Sequence, residues 1–305
     1  MNLRYALWTF AILCICPPKA DAQGLYASFA LAYSAEEITA STAGINHPTR
    51  CDRALYPDPS QAPADGACLD SAVRQIGGET FDLGGAFSGA ASLGYAWERI
   101  RIEAEFLNRA HEGQTLPFST PGDNPALEGK LSEWSPDNPP YYRISDYSSR
   151  QLFLNLYYDF RTASRWTPYV GAGVGQADVQ TRYTVSFQRR TLADGYVAAT
   201  GGDADNPEPW QIAAAGSLSL LDTHVQDRVF GYQVIVGAER ELRERVSAFF
   251  SVRWLDIDDI GNETIWETIR SHRPVQADGV TPFVGRQEIG QIGGLTATFG
   301  IRVGL

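Results

Sequence analysis

The most regular feature of the chain is an alternation of apolar and polar residues that recurs in eight segments. In residues 295–305, apolar side chains stand at every second position and alternate with threonine, glycine and Arg302. The same kind of pattern occupies residues 25–34, 87–97, 100–106, 151–160, 169–175, 230–239 and 246–254. Because the side chains of a β-strand point alternately to its two faces, each segment is predicted to be a strand with two different faces.

The connections between these segments are alternately short and long. The second and third segments are separated by little more than Glu98 and Arg99, whereas the long connections cover roughly residues 39–83, 113–148, 191–227 and 261–288. Fourteen of the 17 prolines fall in the four long connections. Since proline removes a hydrogen-bond donor from a β-ladder, this distribution supports the strand assignment. The fifth segment is also predicted to continue past its apolar stretch through Tyr183, Val185 and Phe187.

The two faces of the predicted strands have different compositions. One face carries bulky apolar and aromatic side chains with almost no charge, as a lipid-facing surface requires. The other face is small and polar and includes a few charges of both signs, which are expected to pair inside a narrow closed barrel. These charges are Arg101, Glu103, Glu105, Asp159, Glu239, Arg253 and Arg302. A soluble β-sandwich is the alternative, but its strands usually present a more highly charged face to water.

Composition and charge exclude several classes of protein. The net charge is −11, which argues against a nucleic-acid partner because such binding needs clustered lysine and arginine. No segment after the N-terminal region approaches the ~18 consecutive apolar residues that a membrane helix requires. The chain has 29 glycines and 35 aromatic residues (7 Trp, 14 Tyr and 14 Phe), with only 20% charged residues. This combination is typical of a β-barrel in lipid, where only every second strand residue has to be apolar.

The first 22 residues have the pattern of a secretory signal peptide. Arg4 precedes the apolar stretch 6–16, and Ala20 and Ala22 form a small-x-small cleavage pattern. The predicted mature protein, residues 23–305, retains two cysteines, Cys51 and Cys68. In an exported chain this pair is predicted to form a disulfide, because residues 23–305 contain no further cysteine that would complete a metal site.

The signal peptide, the rhythm of short turns and long loops, the YVGAGVG segment and the final strand TATFGIRVGL resemble those of the small eight-stranded outer-membrane barrels. This group includes the OmpA transmembrane domain, OmpX, Opa adhesins and "porin family" proteins. The resemblance covers the strands, roughly half of the mature chain. Family members commonly end in Phe or Trp, whereas this chain ends in Leu305 and stops at the barrel.

The resemblance implies an all-β fold: an eight-stranded antiparallel up-and-down transmembrane β-barrel with four long extracellular loops. It also implies a bacterial outer-membrane location, contact with outer-membrane lipid and lipopolysaccharide, and insertion by the barrel-assembly machinery. We expect no cofactor. The long loops suggest a structural or surface protein that is exposed for interaction or adhesion with an extracellular protein or cell-surface partner.

Two other functions are weighed. A small porin needs a water path through the barrel, and Gly171, Gly173, Gly175 and Gly300 are predicted to leave space on the inner face. A lipid A-modifying barrel enzyme needs a serine activated by a histidine near the outer rim. Ser271 and His272 are the only serine and histidine that are adjacent in the sequence, and the His-x-Ser spacing of the lipid A deacylases is absent. No catalytic residue is therefore predicted.

A calcium site is the last candidate. Asp256, Asp258 and Gly261, followed by Glu267, match positions 1, 3, 6 and 12 of a calcium-binding loop. The fifth position is Ile260, however, and the flanking element is predicted to be a strand. Asp256, Asp258 and Glu267 are therefore kept as a weak calcium hypothesis.

Overall fold

The computed structural model describes residues 24–44, 74–118, 131–268 and 280–305. The predicted signal peptide (1–22) and the predicted disulfide between Cys51 and Cys68 lie outside the described residues. His272 also lies outside them. The division into a signal peptide and residues 23–305 therefore stays a prediction.

The described chain consists mainly of long strands. The strands are β1 (Gly24–Gly44), β2 (Arg74–Trp97), β3 (Ile100–His111), β4 (Gln114–Pro117), β5 (Tyr141–Asp159), β6 (Trp166–Gln188), β7 (Leu218–Arg243), β8 (Val246–Ile257), β9 (Ile260–Ile265), β10 (Glu267–Thr268), β11 (Val284–Gly290) and β12 (Ile292–Gly304). Two short helices, α1 (Tyr196–Ala199) and α2 (Pro209–Ala214), lie between β6 and β7, and a 3-10 turn spans Leu131–Glu133. Among the described residues, no helix is long and apolar enough to cross a membrane.

The strands form one closed antiparallel ring with eight positions. Its order is β1, β2, β3, β5, β6, β7, β8 and β12, and β12 pairs with β1 to close it. The shorter strands continue these positions: β4 pairs with β5, and β11 lies between β1 and β9. This is the predicted eight-stranded up-and-down barrel, so the fold prediction is confirmed.

The short turns and both described chain ends lie at one end of the ring. The turn between β2 and β3 consists of Glu98 and Arg99, and that between β7 and β8 of Glu244 and Arg245. Glu98 and Arg245 have positive φ angles of 54° and 63°, which match the conformation that tight hairpins need. The amide of Leu305 donates a 2.9 Å hydrogen bond to the carbonyl of Leu25. In outer-membrane barrels this end is the periplasmic one.

An apolar belt surrounds the outside of this half of the barrel. Its side chains are the exposed large hydrophobic residues that alternate with buried ones along each strand. They include Leu25, Phe29, Leu31, Tyr33, Phe87, Leu93, Ile102, Phe106, Leu152, Leu154, Leu156, Val170, Val174, Phe230, Val234, Val236, Phe250, Trp254, Leu295, Phe299 and Ile301. Tyr95, Trp97, Tyr158, Phe160 and Trp166 are exposed beside the short turns, where aromatic girdles lie in such barrels.

Above the belt, the two faces of most strands exchange their character. On β1 the outward residues are Leu31 and Tyr33 in the belt but Thr39 above it, whereas the inward residues change from Ser34 to Ile38. The barrel therefore has an apolar outside and a polar inside in its lower half, and a polar outside and an apolar inside in its upper half. The lower half is suited to lipid and the upper half to water.

The strands extend much further above the belt than the sequence pattern predicts. Each of the four long connections is partly strand, because β1, β2, β5 and β7 continue into them and β9 and β11 pair there. The predicted continuation of the fifth segment through Phe187 is confirmed by β6. At ~3.3 Å per residue and a tilt of 35–45°, residues 176–188 of β6 rise about 30 Å above the belt.

Candidate functional site

The interior of the lower half holds the seven charged residues that the sequence predicts to face inward. At the periplasmic end, a terminal nitrogen of Arg101 lies 2.8 Å from Oδ1 of Asp159 and another lies 3.7 Å from Oε2 of Glu239. Glu239 also pairs with Arg302. Arg101 lies in β3, Asp159 in β5, Glu239 in β7 and Arg302 in β12, so the group joins four strands across the interior.

The rest of this network lies next to the first group. Nη1 of Arg253 is 2.7 Å from Oε1 of Glu105, and Nδ2 of Asn155 donates to the other oxygen of Glu105 at 2.8 Å. The hydroxyl of Tyr157 donates to Glu103 at 3.2 Å. These carboxylates are buried and acquire partners from neighbouring strands, which compensates for their loss of hydration.

The inner glycines of β6 do not leave an open path. Tyr157, Asn155 and Phe153 of β5 lie directly opposite Gly171, Gly173 and Gly175 in the ladder. A β-carbon at any of the three glycines would overlap the side chain of its β5 partner. The sequence argument that these glycines favour a pore is therefore wrong, because the space they leave is filled by neighbouring side chains.

A second buried ionic cluster, which the sequence analysis missed, lies where the interior changes from polar to apolar. Glu36 accepts hydrogen bonds from Arg109 at 3.4 Å, from the hydroxyl of Tyr147 at 3.2 Å and from the amide of Gly293 at 2.9 Å. Arg109 also donates to Thr296 at 2.8 Å. Glu36 and Arg109 are 2% and 1% exposed. Both lie just beyond the predicted strand segments, so the sequence gave no reason to place them inside the barrel.

A serine–histidine contact adjoins this cluster. Oγ of Ser34 is 3.2 Å from Nε2 of His111, and Nδ1 of His111 is 3.2 Å from the carbonyl of Gly84. The two residues are 77 positions apart, so no sequence motif could indicate the contact. Ser34 and His111 are 1% and 6% exposed. His111 is the last residue of β3, and its side chain lies inside the barrel.

The upper half of the barrel is filled by an apolar core. The core includes Ile38, Phe81, Leu83, Trp134, Tyr142, Ile144, Val179, Tyr183, Val185, Phe187, Leu221, Val225, Ile257, Ile260, Trp266 and Ile289. Its aromatic rings are in direct contact: Phe187 lies 5.1 Å from Trp134 and 5.0 Å from Phe118 between ring centroids. The upper half therefore has a core like that of a soluble barrel.

A small cap between β6 and β7 adjoins this core. Tyr196 of α1 packs edge-to-face against Trp210 of α2 at 6.4 Å between centroids. Burial raises the pKa of Tyr196 to about 12. Glu208 and Gln211 form a reciprocal capping box at the start of α2, which supplies partners to otherwise unpaired backbone amides.

Little free volume is present in the described interior next to the ionic network. A cavity of about 20 Å³ lies among Ser28, Ser92, Glu103, Arg253 and Arg302, with further side chains around it. This volume is close to that of a single water-sized site. The ionic network, the Glu36 cluster and the apolar core thus occupy the barrel at three successive heights.

The predicted calcium ligands are not gathered into a loop. Asp256 lies in β8, Asp258 in the break before β9, and Glu267 in β10, whose backbone pairs with β7. Residues 256–267 therefore run as an interrupted strand. Across the described ranges 24–44, 74–118, 131–268 and 280–305, no group of three or more His, Cys, Asp or Glu side chains is arranged to hold a metal ion.

No protein-family model and no curated protein matches the sequence. Among solved structures, the chain is similar to Neisserial surface protein A, with 13% identity over 92% of this chain and 97% of that one and a TM-score of 0.35. It is also similar to the outer membrane protein OprG from Pseudomonas aeruginosa, with 11% identity, coverage of 93% and 97%, and a TM-score of 0.37. For the outer membrane protease OmpT from Escherichia coli, the identity is 9%, the coverage 92% and 96%, and the TM-score 0.38.

The conclusion rests on the chain's own geometry. The ring is closed, so its strands present no unpaired edge to lipid at belt height, and its outer belt is apolar while the interior at the same height is polar and charged. An apolar outside around a polar inside is the arrangement of a barrel that spans a membrane. The chain is an eight-stranded transmembrane β-barrel.

Proposed function

We propose that the protein is a surface protein, not a pore: a membrane anchor whose raised upper barrel presents its loops and the α1–α2 cap for interaction or adhesion. The filling of the barrel at three heights is the observation that carries this proposal. Side chains that fill the interior give stability but leave no route for free diffusion. The apolar upper core supports the proposal as well, because it packs together the strands that extend above the belt.

Planar-bilayer recording tests the proposal against the alternative of a small porin. We expect the refolded full-length protein to insert without reproducible conductance steps. A known open porin, refolded in the same way, serves as the positive control. Regular steps from the wild-type protein, obtained at the same protein concentration, would establish the porin and overturn the anchor proposal.

Display of the loops is tested separately on cells. A Gram-negative strain that lacks the protein is complemented with the wild-type chain or with a variant in which residues 191–216 are replaced by a short Gly-Ser linker. We expect both proteins to reach the outer membrane and to shift on gels after boiling in SDS. Adhesion to other cells or surfaces should fall only in the variant, and equal adhesion by both strains would contradict a role for the cap.

A lipid A-modifying activity has less support. The contact between Ser34 and His111 has the atoms of a serine–base pair, but both side chains are buried among packed residues. A lipid A deacylation assay on wild-type protein and on His111→Ala and His272→Ala variants tests this alternative. Activity that disappears in one variant while the barrel stays folded would favour the enzyme.

A further inference from the structure

A row of charged residues lies directly above the apolar belt on the β5–β7 side of the barrel. Arg150 of β5 is opposite Asp178 of β6, and Asp178 is opposite Arg228 of β7. All three lie two residues above the belt positions Leu152 and Phe230, on the same outward face. Arg150 and Arg228 therefore lie at the height where lipid headgroups begin.

The row contains more positive charge than its own carboxylate neutralises. Nη2 of Arg228 is 3.8 Å from Oδ2 of Asp178, and the other oxygen of Asp178 accepts a 3.0 Å hydrogen bond from Gln226. The Arg228 side chain is 69% exposed. Arg150 is exposed and has no ion pair among the described residues. Two guanidinium groups thus flank one carboxylate, and both arginine side chains are exposed on the outer face of the barrel.

The opposite side of the ring at a similar height is acidic. Glu37 of β1 lies directly opposite Asp82 of β2, and both are exposed on the outer face just above Tyr33 and Phe87. At this height the β1–β2 side therefore presents carboxylates, whereas the β5–β7 side presents two arginines with Asp178 between them.

We propose that Arg150 and Arg228 form a binding site for the phosphate group of a lipid headgroup in the outer leaflet. The guanidinium group is planar and presents several N–H donors that match a phosphate. Adjacent strands are ~4.8 Å apart, so the two arginines are separated by about 10 Å and their long side chains can reach one headgroup from both sides. The site is continuous with the lipid-facing belt, which favours a membrane lipid as its occupant over a soluble anion.

The test measures lipid retained on the full-length protein. Protein refolded in detergent is incubated with diphosphorylated lipid A, separated from free lipid by size exclusion and analysed for bound lipid. The test variant is Arg150→Gln/Arg228→Gln. The matched control is Arg286→Gln, because Arg286 is also 69% exposed but lies on β11, where it pairs with Glu263 at 2.7 Å. The gel shift on boiling confirms that each variant is folded.

We expect the double variant to retain about fivefold less lipid A than the wild type, since each exposed charge contact contributes only modestly. The control should bind like the wild type, and added salt should weaken wild-type binding. Equal retention by the double variant, equal loss in the control, or equal binding of dephosphorylated lipid A would each overturn the proposal. Displacement of lipid A by millimolar inorganic phosphate would also overturn it, because the site would then be one for free anions. None of these outcomes depends on whether the barrel conducts.

Discussion

At the scale of single residues, the interior is specified by pairs that complement each other in size and charge across neighbouring strands. The glycines of β6 accept the large side chains of β5, so the small residue and the large one form one packing unit. The ionic residues are matched in the same way. The buried carboxylate of Glu36 accepts hydrogen bonds from Arg109, Tyr147 and the amide of Gly293. Substitutions at such positions should therefore cost far more than substitutions on the outer face.

The first prediction concerns Gly171. Gly171→Ala should destabilise the barrel by about 1–3 kcal/mol, because the new methyl group overlaps the Tyr157 ring. Urea unfolding in lipid vesicles, followed by tryptophan fluorescence, measures the change. The control is Gly89→Ala on the outer face of β2, where a β-carbon meets no atom within 4 Å. The packing argument fails if both variants unfold at the same urea concentration.

A second prediction compares two neighbouring carboxylates. Glu36→Ala leaves Arg109 buried without its acidic partner and should cost about 3–5 kcal/mol. Glu37→Ala removes an exposed charge that lies opposite Asp82, so its stability should stay within about 0.5 kcal/mol of the wild type or rise. The same unfolding assay distinguishes the two, and a similar loss in both would mean that burial of Glu36 is not what matters.

At the scale of elements, the sequence predicts a strand well where its apolar positions alternate in one phase over the whole length. In 295–305 and 246–254 the apolar positions keep one phase, and both segments are strands in the structure. On β1 the apolar positions change from odd-numbered residues such as Tyr33 to even-numbered ones such as Ile38. A prediction that assumes one phase of alternation therefore ends β1 at this point. Charged interior positions within the belt were predictable for the same reason, whereas Glu36 and His111 lie beyond the change of phase.

The third prediction tests whether the upper barrel has a core of its own. Leu221→Ala should create a cavity in the upper core and lower local stability by about 2–5 kcal/mol. Protease added to intact cells should then cleave the extracellular part faster, while the gel shift on boiling persists. Val174→Ala, which removes methyl groups from a lipid-exposed side chain of β6, is the control. Unchanged cleavage in Leu221→Ala would mean that the upper half does not depend on this core.

At the scale of the whole molecule, position relative to the belt decides what a substitution does. Val234→Arg places a charge on the lipid face of β7 and should destabilise the barrel by about 2–4 kcal/mol if it lies near the bilayer midplane. Gln180→Arg, on the outward face of β6 above the belt, should be tolerated. Comparing the temperatures at which the two variants lose the compact gel band measures the difference. Equal temperatures would place the lipid boundary elsewhere.

The change of phase along the strands has a consequence for the membrane itself. On β5 and β7 the uppermost apolar residues of the belt are Leu152 and Phe230. The next outward row above them holds Arg150, Asp178 and Arg228. A thicker bilayer would submerge this charged row in hydrocarbon, and a thinner one would leave Leu152 and Phe230 in water, at a cost for each ångström of mismatch. The height of the apolar belt therefore sets the hydrocarbon thickness of the membrane in which this protein is most stable.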